Sequence, residues 1–216
     1  MFKPKQPHFV TGDYKKPNVF LEDGEYGRAL DSLVKTCTDL LICDSDGVEC
    51  KVLLGKRIVE PQPDWWYMGG RMKTGETPEE SMTRLVLREQ KLTVDPSRFR
   101  VLGYHSYHWA RRQQPPAQNG TCDLSIIFTL TLQPAEAERI CMDEKEYAEF
   151  RWYTLREILD AEQDFHPALV QSARDIYARH SWDQLKAAIT FGESSQNVYE
   201  AAVRLVNNSA WVDNLT

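Results

Sequence analysis

Glycines and charged side chains with the spacing of a phosphate and metal site lie between residues 69 and 89. Gly69 and Gly70 follow an aromatic run, Gly75 lies in the next loop, and a helix carrying Arg84 and Glu89 comes after it. Glycine lets the backbone approach a ligand closely, and helical residues three or four apart share one face. Carboxylate oxygens are ligands that Mg²⁺ prefers. The segment therefore predicts a site that holds a divalent cation against a diphosphate.

The helix that carries Glu89 has clear signals at its start. Thr77 is a suitable N-cap, Pro78 suits the first helical position, and Glu80 completes a capping box. Apolar residues then recur at helical spacing, namely Met82, Leu85, Val86 and Leu92. This pattern predicts a helix with one face in the core.

Strand patterns lie on both sides of this helix in the sequence. Before it, residues 38–43, 51–55 and 65–68 are predicted strands, and the turn at residues 44–47 joins the first two into a hairpin. After it, the predicted strands are residues 99–109, 122–132 and 150–153. Thr154 caps a helix that extends to about Ala161, and the remaining tail is helical with breaks near Ser181 and Gly192. These elements predict an α/β fold with a single sheet covered by helices.

The region from residue 70 to residue 92 resembles the signature of the Nudix hydrolase superfamily. The glycine, glutamate, arginine and aliphatic positions are in register, as Gly70, Glu76, Arg84, Val86, Glu89 and Leu92. Three positions differ, because Leu85 and Arg88 replace signature glutamates and Lys91 replaces the glycine. The resemblance implies a Nudix α/β/α sandwich, with a mixed β-sheet between helices. It also implies that part of the metal-binding carboxylate set is missing.

A similarly depleted helix occurs in the GDP-mannose mannosyl hydrolase branch, which the chain resembles over roughly residues 36–166. The shared motifs include Gly69-Gly70-Arg71, Gly120-Thr121 followed by Asp123, and Phe150-Arg151-Trp152. The resemblance implies Mg²⁺-dependent hydrolysis of a nucleotide sugar such as GDP-mannose, with Mn²⁺ as a possible substitute. Water would attack the anomeric carbon of the sugar rather than phosphorus.

Carried over position by position, the resemblance assigns a role to individual residues. The Gly69 carbonyl, Glu89 and Glu146 would bind the metal ion, and Glu89 and Glu146 also belong to the expected catalytic set. Arg71 and Arg84 would neutralise the diphosphate, as catalytic and as substrate-binding residues. The remaining expected substrate contacts are Asp39, at a position that contacts the base, and Asp123.

The position of the branch's histidine general base is Tyr147 in this chain. A tyrosine with an ordinary pKa of about 10 is a poor base at neutral pH. The proton of the nucleophile must then go to Glu144, to Glu146, or to His105 or His108.

Several charged residues also have plain structural interpretations. Arg84 either forms a structural salt bridge or contacts the substrate. Glu76 is interpreted as the structural partner of a nearby arginine rather than as a metal ligand. Arg88 is interpreted as a surface charge. Arg111 and Arg112 lie in a proline-containing loop that either closes over a phosphate or faces water.

Three functional hypotheses follow. The first is a Mg²⁺-dependent nucleotide-sugar hydrolase, and the second is a Nudix hydrolase that attacks phosphorus in another nucleoside diphosphate derivative. The third is a noncatalytic nucleotide-binding protein, which Arg88 and Tyr147 favour. Labelled oxygen from water would enter the sugar in the first case and phosphate in the second.

The whole chain has the composition of a globular protein. Its 216 residues carry a net charge of −6, which argues against nonspecific binding to nucleic acid or to an anionic membrane. Five scattered cysteines indicate reduced thiols and a cytoplasmic location. We expect an N-terminal arm or cap at residues 1–28, a Nudix domain at 29–166 and a C-terminal helical extension at 167–216. The expected partner is a small nucleotide-sugar molecule, and the resemblance implies a homodimer.

Overall fold

A mixed seven-stranded sheet forms the centre of the protein. The structure is a computed structural model that describes the backbone of residues 7–213 and side chains as far as residue 208. The strands are β1 (Lys35–Cys43), β2 (Lys51–Arg57), β3 (Trp65–Trp66), β4 (Met68–Arg71), β5 (Arg100–Trp109), β6 (Thr121–Thr131) and β7 (Tyr147–Thr154). The helices are α1 (Asp23–Ser32), α2 (Pro78–Gln90), α3 (Pro134–Ala137), α4 (Leu155–Asp160), α5 (Pro167–Thr190) and α6 (Ser195–Asp213).

The strand order is β3-β2-β1-β6-β5, and two further strands join this path. β4 pairs with β1, and β7 pairs with β2. β1 and β6 are parallel over nine residue pairs, whereas the other pairings are antiparallel. Because β1 is central and pairs with β4 at its N-terminal part, Asp39 lies opposite Gly69 and Cys37 lies opposite Arg71.

Alternate residues of the central strands belong to two separate cores, as the period of two in a strand requires. Leu40 and Ile42 of β1 pack in the core that includes Leu85 of α2. Leu41 of β1 packs in the core that includes Leu169 of α5. The prediction of a mixed sheet between helices is confirmed.

The helical regions differ from the prediction at two places. α5 continues through Ser181, whose hydroxyl donates to the Tyr177 carbonyl oxygen at 3.0 Å, so that this polar side chain is satisfied within the helix. A break does occur at Gly192, which has a φ of 67° between α5 and α6.

The second difference is α1, which begins at Asp23 inside the segment predicted as an N-terminal arm or cap. Glu22 and Glu25 form a capping box at its start. Residues 1–6 of the predicted arm and residues 214–216 of the predicted extension lie outside the described part of the chain. Within the described part, no helix combines the length and the apolar character that crossing a bilayer requires.

Candidate ligand-binding site

A cavity of about 210 Å³ lies over one end of the sheet. β1 contributes Lys35, Cys37 and Asp39, which share one face of the strand. Asp123 of β6 lies opposite Lys35. Further lining residues come from β4, from the loop after β5 and from α1, so the cavity is formed by segments that are far apart in the sequence.

Five basic side chains line this cavity: Lys35, Arg57, Arg71, Arg88 and Arg112. Three of them already have carboxylate partners. Lys35 Nζ lies 3.3 Å from Asp123 Oδ2, and Arg112 Nη1 lies 2.6 Å from Asp31 Oδ1. Arg88 pairs with acidic residues described below.

Arg57 and Arg71 have no carboxylate partner among the described side chains. The Arg71 guanidinium lies over the ring of Tyr26 in α1, 4.6 Å from the ring centroid. This contact orients the cation by a cation–π interaction and leaves its N–H groups free of a competing anion. These two arginines are therefore the unneutralised positive charges of the cavity.

Glu89 and Glu146 converge on the guanidinium of Arg88. Arg88 Nη2 donates to Glu89 Oε1 at 2.5 Å, and the same nitrogen lies 3.3 Å from Glu146 Oε1. Burial lowers the pKa of Arg88, but the neighbouring carboxylate of Glu89 outweighs burial and leaves the pKa raised. The side chain predicted to be a surface charge is 46% exposed, yet its charged end lies within the acidic pair.

The other oxygen of Glu89 is bound as well. Glu89 Oε2 accepts a hydrogen bond from the Tyr147 hydroxyl at 2.8 Å and one from the Gly69 N–H at 3.2 Å. Burial raises the pKa of Glu89 above its usual range, and the positive charge of Arg88 opposes that shift. The carboxylate is fully buried, so its hydrogen-bond partners are what stabilise it in the fold.

Gly69 permits this close arrangement because it has no side chain. A Cβ at Gly69 would lie 2.3 Å from the Thr38 carbonyl oxygen and 2.6 Å from Asp39 Oδ1. β4 can therefore pass directly beside β1 and bring its backbone to Glu89.

The residues expected to bind Mg²⁺ are brought together, but their arrangement does not fit the ion. A guanidinium nitrogen already bridges Glu89 and Glu146, and Tyr147 and Gly69 bind the second oxygen of Glu89. Within the described part of the chain, no group of three or more His, Cys, Asp and Glu side chains could hold a metal ion. Mg²⁺ requires oxygen ligands at about 2.0 to 2.1 Å in near-octahedral geometry, which an intervening guanidinium prevents.

Tyr147 lies where the resemblance expects a general base, and its environment opposes that role. Burial raises the pKa of Tyr147 well above its usual value, and the Glu89 carboxylate adds to the shift. Its hydroxyl therefore stays protonated and acts as a donor to Glu89. The structure places Tyr147 in the core of the domain as a structural residue.

The alternative proton acceptors lie in different places. His105 Nδ1 forms a hydrogen bond with the Tyr107 hydroxyl at 3.1 Å, and His105 Nε2 lies 3.9 Å from Asp175 Oδ2 of α5. His108 and Glu144 are exposed, and neither they nor His105 belong to the lining of the cavity. Glu146 does line the cavity, where it is paired with Arg88.

Arg84 holds the loop before α2 in place. Its guanidinium donates to both carboxylate oxygens of Glu76, at 2.6 and 2.8 Å, and to the Arg71 carbonyl oxygen at 3.1 Å. Burial tends to raise the pKa of Glu76, but the Arg84 hydrogen bond leaves it lowered. Arg84 is not part of the cavity lining and instead fixes the backbone that presents Arg71.

Asp39 and Asp123 supply buried acceptors at the floor of the cavity. Asp39 Oδ2 accepts from the Ser125 hydroxyl at 2.5 Å, and burial raises the pKa of Asp39 to about 6. Asp123 Oδ2 accepts from the Trp109 ring N–H at 3.0 Å. Both carboxylates are held in fixed orientations.

Aromatic rings form the wall next to Asp123. Tyr107 and Trp109 stack with ring centroids 5.0 Å apart, and Trp66 meets Trp109 edge-on at 5.5 Å. Trp66 is buried in the core and also lines the cavity. A rigid aromatic wall beside carboxylate acceptors suits a flat, polar heterocycle.

Several residues of the site were not identified from the sequence. No role was assigned from the sequence to Lys35, Arg57 or Tyr26, although the strand period puts Lys35 on the same face as Asp39. Arg112 was left open between two roles, and the structure buries it at the cavity wall. Arg111 beside it is 70% exposed and pairs with Glu60 at 3.4 Å.

Comparison with known proteins identifies the domain. Among solved structures, the MutT protein from Methanosarcina mazei Go1 is 17% identical, with 66% of this chain and 92% of that chain covered and a TM-score of 0.49. A Caenorhabditis elegans Ap4A hydrolase binary complex is 14% identical, with coverages of 67% and 96% and a TM-score of 0.48. The NUDIX domain of Shewanella oneidensis NrtR, complexed with ADP ribose, is 16% identical, with coverages of 72% and 98% and a TM-score of 0.46. The family model described as NUDIX domain matches residues 35–179, well over half of the chain, and the chain therefore belongs to the NUDIX domain family.

Proposed function

We propose that this chain binds a nucleoside diphosphate derivative, with nucleotide sugars as the principal class, and that arginine side chains hold the diphosphate without a divalent metal ion. The observation that carries this proposal is the guanidinium of Arg88 between Glu89 and Glu146. A permanent cation of the chain occupies the space between the two carboxylates that a metal ion would need. The proposal corresponds to the noncatalytic hypothesis drawn from the sequence.

Arg57 and Arg71 supply the attraction for the diphosphate in this proposal. They line the cavity without a carboxylate partner among the described residues, whereas the other three cations are paired. Arginine matches phosphate oxygens with two parallel N–H donors, so two such side chains suit two linked phosphates. The negative net charge of the chain does not oppose this, because a cavity focuses the field of its own lining.

The remainder of the ligand would contact the polar and aromatic wall. Asp39 and Asp123 accept hydrogen bonds from N–H or O–H groups, and Tyr107 and Trp109 offer ring surface. A nucleobase presents both N–H groups and a flat face, and a sugar presents hydroxyls. The cavity thus contains complementary groups for each part of a nucleotide sugar.

Binding without ordinary turnover is favoured by two features of the same site. The carboxylates are committed to Arg88, and the residue at the expected base position is a protonated tyrosine. Nudix enzymes generally use divalent metals, so loss of the metal site removes the usual stabilisation of the departing phosphate charge.

Hydrolysis of a nucleotide sugar such as GDP-mannose is the second candidate. It is favoured by family membership and by the convergence of Gly69, Glu89 and Glu146. It requires Arg88 to leave the acidic pair when the ligand binds. Hydrolysis at phosphorus in another nucleoside diphosphate derivative has the same requirement.

Calorimetry on the full chain tests the binding proposal. GDP-mannose, UDP-glucose and ADP-ribose would be titrated in buffer containing EDTA, first into the natural protein and then into Arg71→Gln and Arg156→Gln. We expect measurable binding of at least one ligand, weakened about tenfold or more by Arg71→Gln, because a charge-assisted contact is lost. Arg156 is 84% exposed on α4 and serves as the matched control, with no change expected.

Phosphorus NMR with Mg²⁺ separates binding from hydrolysis. Unchanged ligand after prolonged incubation supports the noncatalytic proposal. Release of GDP and free mannose, with labelled water oxygen in the sugar, would replace it with sugar-carbon hydrolysis. GMP and mannose phosphate would replace it with attack at phosphorus, and absence of any binding in EDTA would overturn the metal-independent proposal.

A further inference from the structure

One nitrogen of Arg112 is buried at the cavity wall without a hydrogen-bond partner. Arg112 is 2% exposed and lines the cavity. Its Nε donates to the Gln114 carbonyl oxygen at 3.0 Å, and its Nη1 donates to Asp31 Oδ1 and to the Gly120 carbonyl oxygen at 2.6 and 3.0 Å. Nη2 has no acceptor among the described residues. A buried donor that is left unsatisfied is costly, so it marks a position where a ligand acceptor would be stabilising.

Helix α1 fixes the orientation of this guanidinium. Asp31 Oδ1 accepts from Arg112 Nη1 and also from Asn119 Nδ2, at 3.1 Å. Gly27 lets the helix approach the loop, because a Cβ there would lie 2.7 Å from the Pro115 carbonyl oxygen and 3.6 Å from Arg112 Nη2. With three of its contacts fixed, Arg112 cannot turn Nη2 towards another partner without breaking bonds to α1 or to its own loop.

The position of Arg112, in the loop after β5, indicates which part of the ligand it would meet. Arg71 lies on β4, and the sheet continues from β4 through β1 and β6 to β5, which precedes Arg112. Three strand spacings correspond to about 14 Å. If the diphosphate binds at Arg71, Arg112 therefore contacts the opposite end of the ligand. The aromatic rings of Tyr107 and Trp109 lie at that end.

We propose that Arg112 is a specificity-determining residue, whose Nη2 donates a hydrogen bond to an acceptor atom on the nucleobase, and that α1 is the element that holds it there. This inference rests on the proposed function. It adds a binding element from outside the family domain, because the NUDIX match begins at residue 35 and α1 ends at Ser32. α1 thereby spans the site, with Tyr26 on the phosphate-binding Arg71 and Asp31 on the base-binding Arg112.

The test compares Arg112→Lys with Arg111→Lys in the full chain. Lysine at position 112 keeps a cation for Asp31 but has no second nitrogen to meet the ligand. Affinities for GDP, UDP, ADP and inorganic pyrophosphate would be measured by calorimetry in EDTA. For the nucleotide that the natural protein binds most tightly, we expect a loss of about tenfold or more in Arg112→Lys, with pyrophosphate affinity unchanged. The exposed neighbour Arg111 should tolerate the same substitution without effect on either ligand.

A second variant separates base contact from general damage to the fold. Asp31→Ala removes the acceptor of the Arg112 Nη1 hydrogen bond and leaves the contact between Tyr26 and Arg71 in place, so it should weaken nucleotide binding more than pyrophosphate binding. Equal loss of both ligands in Arg112→Lys, or no loss of either, would overturn the role of Arg112. If none of the three nucleotides binds the natural protein, the proposed function itself fails and this inference fails with it.

Discussion

At the scale of single residues, the decisive feature is the arginine at position 88. The depleted carboxylate set is visible in the sequence, but the sequence does not show where the replacing side chain points. In the structure, Arg88 Nη2 contacts Glu89 and Glu146, at 2.5 and 3.3 Å. The arginine that replaces a signature glutamate therefore supplies a cation for the carboxylates that remain.

Arg88→Ala should convert the acidic pair into a site for a divalent ion. Without the guanidinium, Glu89 and Glu146 face each other with uncompensated charge, and a metal ion would relieve their repulsion. We expect the variant to bind Mn²⁺ about tenfold or more tightly than the natural protein does, measured by electron paramagnetic resonance of free Mn²⁺. Arg88→Lys keeps the charge and should behave like the natural protein. Equal Mn²⁺ affinity of the natural protein and Arg88→Ala would contradict the account of Arg88.

At the scale of elements, local sequence signals predicted α2 well and α1 poorly. The capping box of Thr77 and Glu80 and the apolar period that includes Leu85 are local features, and the structure has both. The α1 segment buries Gly27 and Leu30, and its place depends on contacts with the loop of residues 110–120. Such contacts join residues about eighty positions apart, which no local pattern records.

The short helix α3 provides a pH-dependent test of one such long-range contact. Glu136 accepts two hydrogen bonds from Arg98, at 2.6 and 2.8 Å, and this partner lowers the pKa of Glu136 to about 2. Because the folded pKa lies below the ordinary value of 4.5, the stabilisation is present above about pH 4.5. It is lost as pH falls towards 2.

Glu136→Gln should therefore destabilise the protein at pH 7 by about 1 to 2 kcal/mol, allowing for solvent screening of the pair. The difference from the natural protein should shrink as pH falls from 4.5 towards 2, in chemical unfolding measured across that range. The exposed Glu138, two residues further on, serves as control through Glu138→Gln. If the difference in unfolding free energy between the natural protein and Glu136→Gln stays constant with pH, the Glu136 charge is not what stabilises α3.

At the scale of the whole molecule, the site is formed by a family domain and a segment that precedes it. The sequence resemblance correctly selected the Nudix fold, and Gly69, Glu89 and Glu146 do converge. Lys35, Arg57 and Arg112 reach the cavity from β1, from the end of β2 and from the loop after β5. Their convergence depends on strand order, which is why spacing along the chain did not reveal it. We propose that α1, which overlaps the predicted arm or cap at residues 23–28 and contributes Tyr26 and Leu30 to the lining, acts as the cap of this cavity.

The most direct test of metal-independent binding is the thermal stability of the full chain with its tightest nucleotide sugar, in EDTA and in Mg²⁺. At about one hundred times the dissociation constant measured in EDTA, a ligand that binds the folded state adds about 2.7 kcal/mol of stability and raises the Tm. We expect the same rise in both buffers, because the cation that holds Glu89 and Glu146 belongs to the chain. A rise that occurs in Mg²⁺ but is absent in EDTA would contradict metal-independent binding and would assign the acidic pair to a metal ion.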